Sequence, residues 1–502
     1  MPTDRTAAEG SLAPPMAAAL AARLLRSDAA FYGGVTLALI LPLFFFDFLP
    51  LYDLPNHIAR QHVLFGEGAP GADAYYAVRW RLIPNLALDG GVYMLHHIVS
   101  VEAAVRIFVA ATVAQLFLGA VALNHALFGR RGRFALAAAL FAYNGPLLFG
   151  FVNVSFGLGM VLWVFALWLR WRDRLWTQLL FALLGSVILV AHLFAFGVYG
   201  LVLGCAWAGE AGRRLVVEKA PPREVLRSLA WLIHLAVPLA LYAFAMPRQS
   251  HDLSGAYSEW IYKLFWLHSI IGFNDPAFDL FLLLAVLVGA LLVARRIVIA
   301  PAMAAPLMGL VAAYLALPHQ LGEGTFVDYR MPSFAMLFLV GSTAWRDPAD
   351  PRRGRANLFV LGMLALRLSV QFAEWAAWQP IYAEYRAAFA LLPQAAKLLP
   401  LRAPPYIADF IAHPPLGHIA ALAVSERGAL IPNLFANTGH QLLVYKPPYT
   451  GLCKITTAPT QADVPDYDYL LLLHPEQLDP KTLPPYEILA RGQSFILARI
   501  LR

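Results

Sequence analysis

Asp53, Asn56, His57 and Arg60 follow directly on an apolar run from Phe31 to Pro50. An acid, an amide, an imidazole and a guanidinium thus stand where a membrane-length stretch reaches water. A carboxylate there can take a proton from an attacking hydroxyl or amine, or orient it. A guanidinium fork can hold a phosphate through two parallel hydrogen bonds. If the segment is helical, His57 lies one turn beyond Asp53 on the same face, placed to steady it or to meet substrate. The plainer alternatives are a solvated Asp53 just above the headgroups and an interfacial His57.

Two further segments carry reactive groups. Residues 246–277 hold His251, Asp252, Glu259, Trp260, Lys263 and Asp275, and residues 318–330 hold His319, Glu323, Asp328, Tyr329 and Arg330. Arg330 is either a phosphate ligand at headgroup level or an arginine snorkelling from a span end. Arg106 and Arg367 lie inside apolar runs, where a charge is costly and asks for a partner. Arg106 is near an outer end and can snorkel; Arg367, near a span centre, needs an acid or a phosphate. His96 and His97 could bind a metal with Asp53, but adjacent helical residues point apart, and the sequence leaves a need for a divalent metal open. Cys205 and Cys453 give neither a disulfide framework nor a zinc site.

The elements that must position these groups are membrane spans. Of the 502 residues 60% are hydrophobic and only 14% charged, against about 25% charged in soluble domains. The net charge of +7 lies in short loops, which argues against nucleic acid as a partner. Apolar runs predict about eleven spans, near 30–50, 101–128, 134–151, 153–170, 175–191, 193–209, 229–246, 278–294, 297–317, 331–345 and 357–375, with tight hairpins at Asn153 and His192. One set of loops, with the N-terminus, holds twenty Lys and Arg and the alternate set six. This bias puts the N-terminus in the cytoplasm and the C-terminal region outside. The expected fold class is an all-α multi-pass membrane protein with a small C-terminal α/β domain. Its parts are a cytoplasmic segment 1–29, a membrane domain 30–375 with a large outer loop 52–100, and an extracytoplasmic domain 376–502. In that last part, residues 468–474 read as a buried strand and 486–499 as two strands about a Gly492 turn. Compact loops and an Ala/Arg-rich composition favour a bacterial inner membrane.

The segment Asp53-Leu-Pro-Asn-His-Ile-Ala-Arg60 resembles the stretch after the first span of the GT-C superfamily of lipid-dependent glycosyltransferases, which includes the aminoarabinose transferases and protein O-mannosyltransferases. Their pattern is roughly Asp-Glu-x-x-Tyr-x-x-x-Ala-Arg. Here Asp53 matches the catalytic acid and Ala59-Arg60 the Ala-Arg, but Leu54 replaces the second acid. Val101-Glu-Ala-Ala-Val-Arg-Ile107 resembles a Glu-x-x-x-Arg-Leu stretch at the second span, and Asp328-Tyr-Arg-Met-Pro332 an Arg-Tyr-x-x-Pro stretch at a late span. A Lys-Pro-Pro-Leu motif of the first loop is absent. The resemblance implies a GT-C fold and transfer of a sugar from a polyprenyl-phosphate donor to a lipid-linked, glycan or protein acceptor, with inversion. It implies Asp53 as catalytic base. The full expectation is Asp53 and His57 as the catalytic pair, and Arg60, Arg106, Glu323, Asp328, Tyr329, Arg330 and Arg367 as substrate-binding residues. A transporter or lipid flippase is the alternative from another class. It would show internal repeats and midplane charges, yet no repeat is visible and Arg367 alone lies near a midplane. A glycan ligase or polymerase would depend on outer-loop Arg and His instead of an acid after the first span; a non-enzymatic scaffold is the residual reading.

Overall fold

The computed structural model describes residues 27–66, 70–129, 133–246, 255–257, 259–272, 275–322, 324–402, 416–436, 441–454 and 466–502. Glu323, His251 and Asp252 lie outside the described residues. Among those described, six helices are long and apolar enough to cross a membrane: Val101–Phe128, Val152–Trp171, Leu193–Val216, Pro222–Ala245, Pro276–Arg296 and Arg352–Phe389. Four shorter apolar helical stretches accompany them, Asp28–Phe44, Phe134–Leu148, Thr177–Ala191 and Pro301–Ala316. The run expected to span at 331–345 is helical only over Met331–Gly341. Its end becomes the strand Thr343–Trp345, which pairs antiparallel with Ile297–Ile299.

Two departures from regular helix shape the chain around Asp53. The first helix, Asp28–Ile40, tightens to a 3-10 turn at Leu41–Phe44, where Pro42 has no N–H for the helical ladder. The expected span 134–151 is a 3-10 helix at Phe134–Phe141 followed by one short turn, Gly145–Leu148. Asn144 caps that turn by accepting from the Leu147 N–H. The carbonyls of Leu148 and Phe149 then point out of it and accept from the N–H groups of Tyr52 and Asp53, at 3.2 and 3.0 Å. The chain entering the helix Leu54–Phe65 is thereby fixed to the chain leaving the third apolar stretch. Asn153, read as a hairpin tip, lies inside the helix Val152–Trp171 and binds the segment 52–100 through Asn85 and the Leu88 N–H. His192 caps the helix Leu193–Val216 by accepting from the Phe194 N–H.

The C-terminal part contains a four-stranded sheet. Leu398–Leu401 runs parallel to Tyr469–Leu473, which pairs antiparallel with Phe495–Ile500, and that strand in turn with Tyr486–Arg491. Alternate side chains serve opposite faces of a strand. Leu471, Leu473, Phe495 and Leu497 accordingly pack with Tyr385 and Phe389, while Leu470, Leu472, Ile496 and Ala498 form a second apolar layer. Two features tie this part to the rest. The 38-residue helix Arg352–Phe389 continues through residue 375 and delivers Tyr382, Tyr385 and Phe389 to the C-terminal core. The strand Tyr76–Val78 of the segment 52–100 pairs antiparallel with Leu443–Tyr445.

Candidate active site

Asp53 stands at the N-terminal end of the helix Leu54–Phe65 and makes no capping bond of its own. It is 6% exposed. Its Oδ1 lies 3.2 Å from Nε2 of His418; Oδ2 has no partner among the described residues. Gly150 presses on its other side. That glycine has φ +93°, and a Cβ there would stand 2.8 Å from the Asp53 Cβ, so only glycine fits both the conformation and the space. The Gly150 carbonyl faces Nε2 of His57 at 3.2 Å.

His57 therefore shares the helix with Asp53 but turns to a backbone carbonyl. Burial, with help from the Arg60 charge, pulls its pKa down to about 3. It is neutral at physiological pH and donates from Nε2, and its buried Nδ1 has no partner among the described residues.

Asn56 is fully buried and spans three groups. Its Oδ1 accepts from the Phe435 N–H at 2.7 Å, and its Nδ2 lies 2.7 Å from the Asn433 carbonyl and 3.0 Å from His418 Nδ1. The rings of Tyr52 and Phe435 meet His418 edge-on, at 5.5 and 5.3 Å between centroids. Arg402 donates to the Tyr52 hydroxyl at 3.1 Å. A Cβ on Gly417 would collide with that hydroxyl, so a bare backbone lets the residue before His418 pass under Tyr52. His418, Asn433 and Arg402 were invisible as site residues in the sequence. Each lies more than 300 residues from its partner, and none stands in a recognisable motif.

Arg330 is the cation related to Asp53. It lies in the 3-10 turn Asp328–Arg330, just before the helix Met331–Gly341. Its guanidinium covers the Phe151 ring at 4.6 Å and donates to the Thr325 carbonyl at 3.0 Å. Its buried Nε has no partner among the described residues. Burial lowers its pKa to about 10 while the Asp53 charge opposes that shift, so it is protonated at neutral pH. Beneath it Phe149, Phe151 and Phe326 form an aromatic floor, with centroids 4.6 to 6.4 Å apart.

Other expected residues are engaged elsewhere. Asp328 is fully buried and bonded at both oxygens, to Lys263 Nζ at 3.1 Å and His319 Nδ1 at 3.2 Å. Burial alone would raise its pKa, but the bonds from His319 and Lys263 outweigh that and hold it below the usual carboxylate range. Tyr329 is buried beside Gly145, its hydroxyl without a partner among the described residues. Arg60 is fully buried, paired with Asp89 and bonded to Gln441, so its charge is already matched. Arg106 donates to the Asp47 carbonyl at 3.0 Å near the first span's exit. Arg367 is fully buried in its span and donates to the carbonyls of Tyr143 and Ile271; Asp279 is the acid whose charge bears most on it. The structure thus sets Asp53 near Arg330 and, through Gly150, near His57, while Arg60, Asp328 and Arg367 are engaged by partners of their own. His96 stacks on Phe65, and no group of three or more His, Cys, Asp or Glu able to hold a metal occurs among the described residues.

No protein-family model and no curated protein sequence matches the chain. Solved structures do, among them two of ArnT from Cupriavidus metallidurans. The apo form has a TM-score of 0.54 and 11% identity, covering 96% of this chain and 98% of that one. The form bound to undecaprenyl phosphate has the same score and identity, covering 94% and 97%. The likeness runs over nearly the whole of both chains. The chain therefore shares the fold of ArnT, as the resemblance read around Asp53 led us to expect.

Proposed function

We propose that this chain is an integral membrane glycosyltransferase that moves a sugar from a polyprenyl-phosphate donor to a lipid-linked, glycan or protein acceptor. The observation that carries the reading is an open Asp53 oxygen within electrostatic reach of Arg330. A carboxylate with one oxygen 3.2 Å from His418 and the other without a partner among the described residues lies within reach of the charge of a guanidinium whose Nε has none there either. A proton acceptor and an anion-binding group therefore stand together where the first span ends. The fold supports the same reading, because its ArnT counterpart has been solved with undecaprenyl phosphate bound.

The chemistry follows from these roles. Asp53 Oδ2 accepts the proton of the acceptor hydroxyl or amine as that atom bonds to the anomeric carbon. The bond from that carbon to the phosphate oxygen breaks, and its electron pair leaves with polyprenyl phosphate. Arg330 stabilises the charge that grows on the phosphate, while the prenyl tail stays in hydrocarbon. A single displacement inverts the anomeric centre. With about eleven spans and the N-terminus in the cytoplasm, Asp53, Arg330 and the C-terminal part face outward, in a bacterial inner membrane. The test is a panel of labelled polyprenyl-phosphate sugars offered to purified protein in nanodiscs, with Asp53→Asn beside the wild type. Donor consumption by the wild type and its loss in the variant are expected; equal turnover by both would remove Asp53 from the chemistry.

A further inference from the structure

We propose that His418 is a positioning residue for Asp53: it donates from Nε2 to Oδ1 and so presents Oδ2 to the acceptor. The inference rests on the glycosyltransferase reading and deepens it, because it makes the C-terminal part of the chain complete a site otherwise built from the membrane part.

The argument runs through Asn56. The Phe435 N–H can only donate and the Asn433 carbonyl can only accept. Bonds of 2.7 Å to each fix which end of the Asn56 amide is which. The amide nitrogen must therefore be the atom 3.0 Å from His418 Nδ1. An amide nitrogen has only hydrogens to offer, so Nδ1 is the acceptor and carries no proton. In the neutral ring the proton is then on Nε2, the atom 3.2 Å from Asp53 Oδ1. Two backbone groups thus set the tautomer of an imidazole that touches the proposed base, in the way second-layer partners set metal-ligating histidines.

The same geometry limits what His418 does. A proton arriving on Nδ1 would face the hydrogens of Asn56, so the ring is poorly placed to relay one through that atom. Its surroundings hold it still: Tyr52 and Phe435 meet its edges, and Arg402 anchors Tyr52. Among the described residues, the charged or titratable groups around it are Asp53 at Nε2, Tyr52 against its ring, His57 across Phe435, Arg402 behind Tyr52 and Arg330 beyond Asp53. Held so, Asp53 keeps one orientation, and its open oxygen is the one left to take the proton.

Two substitutions separate this role from a merely structural one. His418→Gln reaches as far as Nε2 and can still donate to Asp53. His418→Asn stops near Nδ1 and can meet only Asn56. We expect the Asn variant to lose about 10- to 100-fold in kcat, the range for partners that orient a reacting group, with donor KM little changed. The Gln variant should recover most of that loss. In an Asp53→Asn background, His418→Asn should cost nothing further, because its effect passes through Asp53. Donor turnover in nanodiscs and thermal melting are measured for every variant. Equal kinetics for Gln and Asn, or additive losses with Asp53→Asn, overturns the positioning role and leaves the glycosyltransferase reading intact. A wild type that consumes no polyprenyl-phosphate sugar overturns both.

Discussion

Two aspartates stand just ahead of helices, each with a histidine 3.2 Å from one oxygen. Their second oxygens differ. At Asp328 it meets Lys263, whose ammonium also donates to the carbonyls of Tyr314 and Leu317. At Asp53 it meets nothing among the described residues, and the related cation, Arg330, makes one backbone bond and keeps an idle Nε. A buried charge is tolerable when paired and hydrogen-bonded throughout. Asp328 meets that standard and joins the helices Trp260–Trp266 and Ala304–Ala316 to the turn Asp328–Arg330. Asp53 falls short of it by one oxygen. The saturated acid has its bonding complete within the fold, and the unsaturated one keeps an oxygen that, on the function we propose, a substrate would meet.

The sharpest test sets the two acids side by side. Asp53→Asn preserves shape and removes the base, so transfer should fall by roughly 10²–10⁴, with melting in nanodiscs near wild type. Asp328→Asn should do the reverse. It leaves Lys263 buried without its counter-charge, at a cost of about 3–5 kcal/mol in stability, and the protein that remains folded should keep its rate. A stable Asp328→Asn protein without activity would exchange the two roles.

Arg330 comes next in size. Arg330→Ala should weaken donor use by roughly 1.5–3 kcal/mol, the scale of a charge-assisted hydrogen bond. Arg330→Lys keeps the charge but not the planar fork, and should recover only part of the loss. Near-wild-type donor kinetics for both would mean that Arg330 only rests on Phe151, and the phosphate would then need another cation. Arg60 is a poor substitute, since Asp89 already neutralises it.

What the sequence makes legible in this site is local. Asp53 is visible because an acid directly follows an apolar run; the helix Leu54–Phe65 that follows it is only a condition in the sequence and is a finding of the structure. The strands at Tyr469–Leu473 and Phe495–Ile500 show in their apolar character and the Gly492 turn. Partners are not legible. One-turn spacing places His57 on the Asp53 face, but the Gly150 carbonyl, brought in by an irregular 3-10 stretch, takes its ring. Arg60 looks free in a string of letters, and only folding sets Asp89 against it. His418 lies 362 residues from Asn56, and no periodicity or spacing joins them. Irregular backbone and long-range polar pairs carry no local signature, and this site is made of both.

The smallest expected effect concerns how dry the Asp53 side is. His57 ordinarily titrates at 6.5 and is drawn down to about 3 by burial and then by Arg60. The unfolded chain thus binds a proton below pH 6.5 that the folded chain refuses until about pH 3. The contribution is therefore present above pH 6.5, and stability falls as pH drops from there. Asp328 contributes in the same direction but lower, since its depressed carboxyl matters only below its ordinary 3.8. The two windows do not overlap between pH 6.5 and 5. His57→Gln keeps a donor for the Gly150 carbonyl and cannot titrate. Its melting temperature should fall less steeply than that of the wild type over that interval, while Asp328→Asn should follow the wild-type slope there. Parallel slopes for His57→Gln and the wild type would mean that the imidazole charges freely in the folded protein. Water would then reach the first turn of the helix, and Asp53 would stand in a wetter site than the contrast with Asp328 requires.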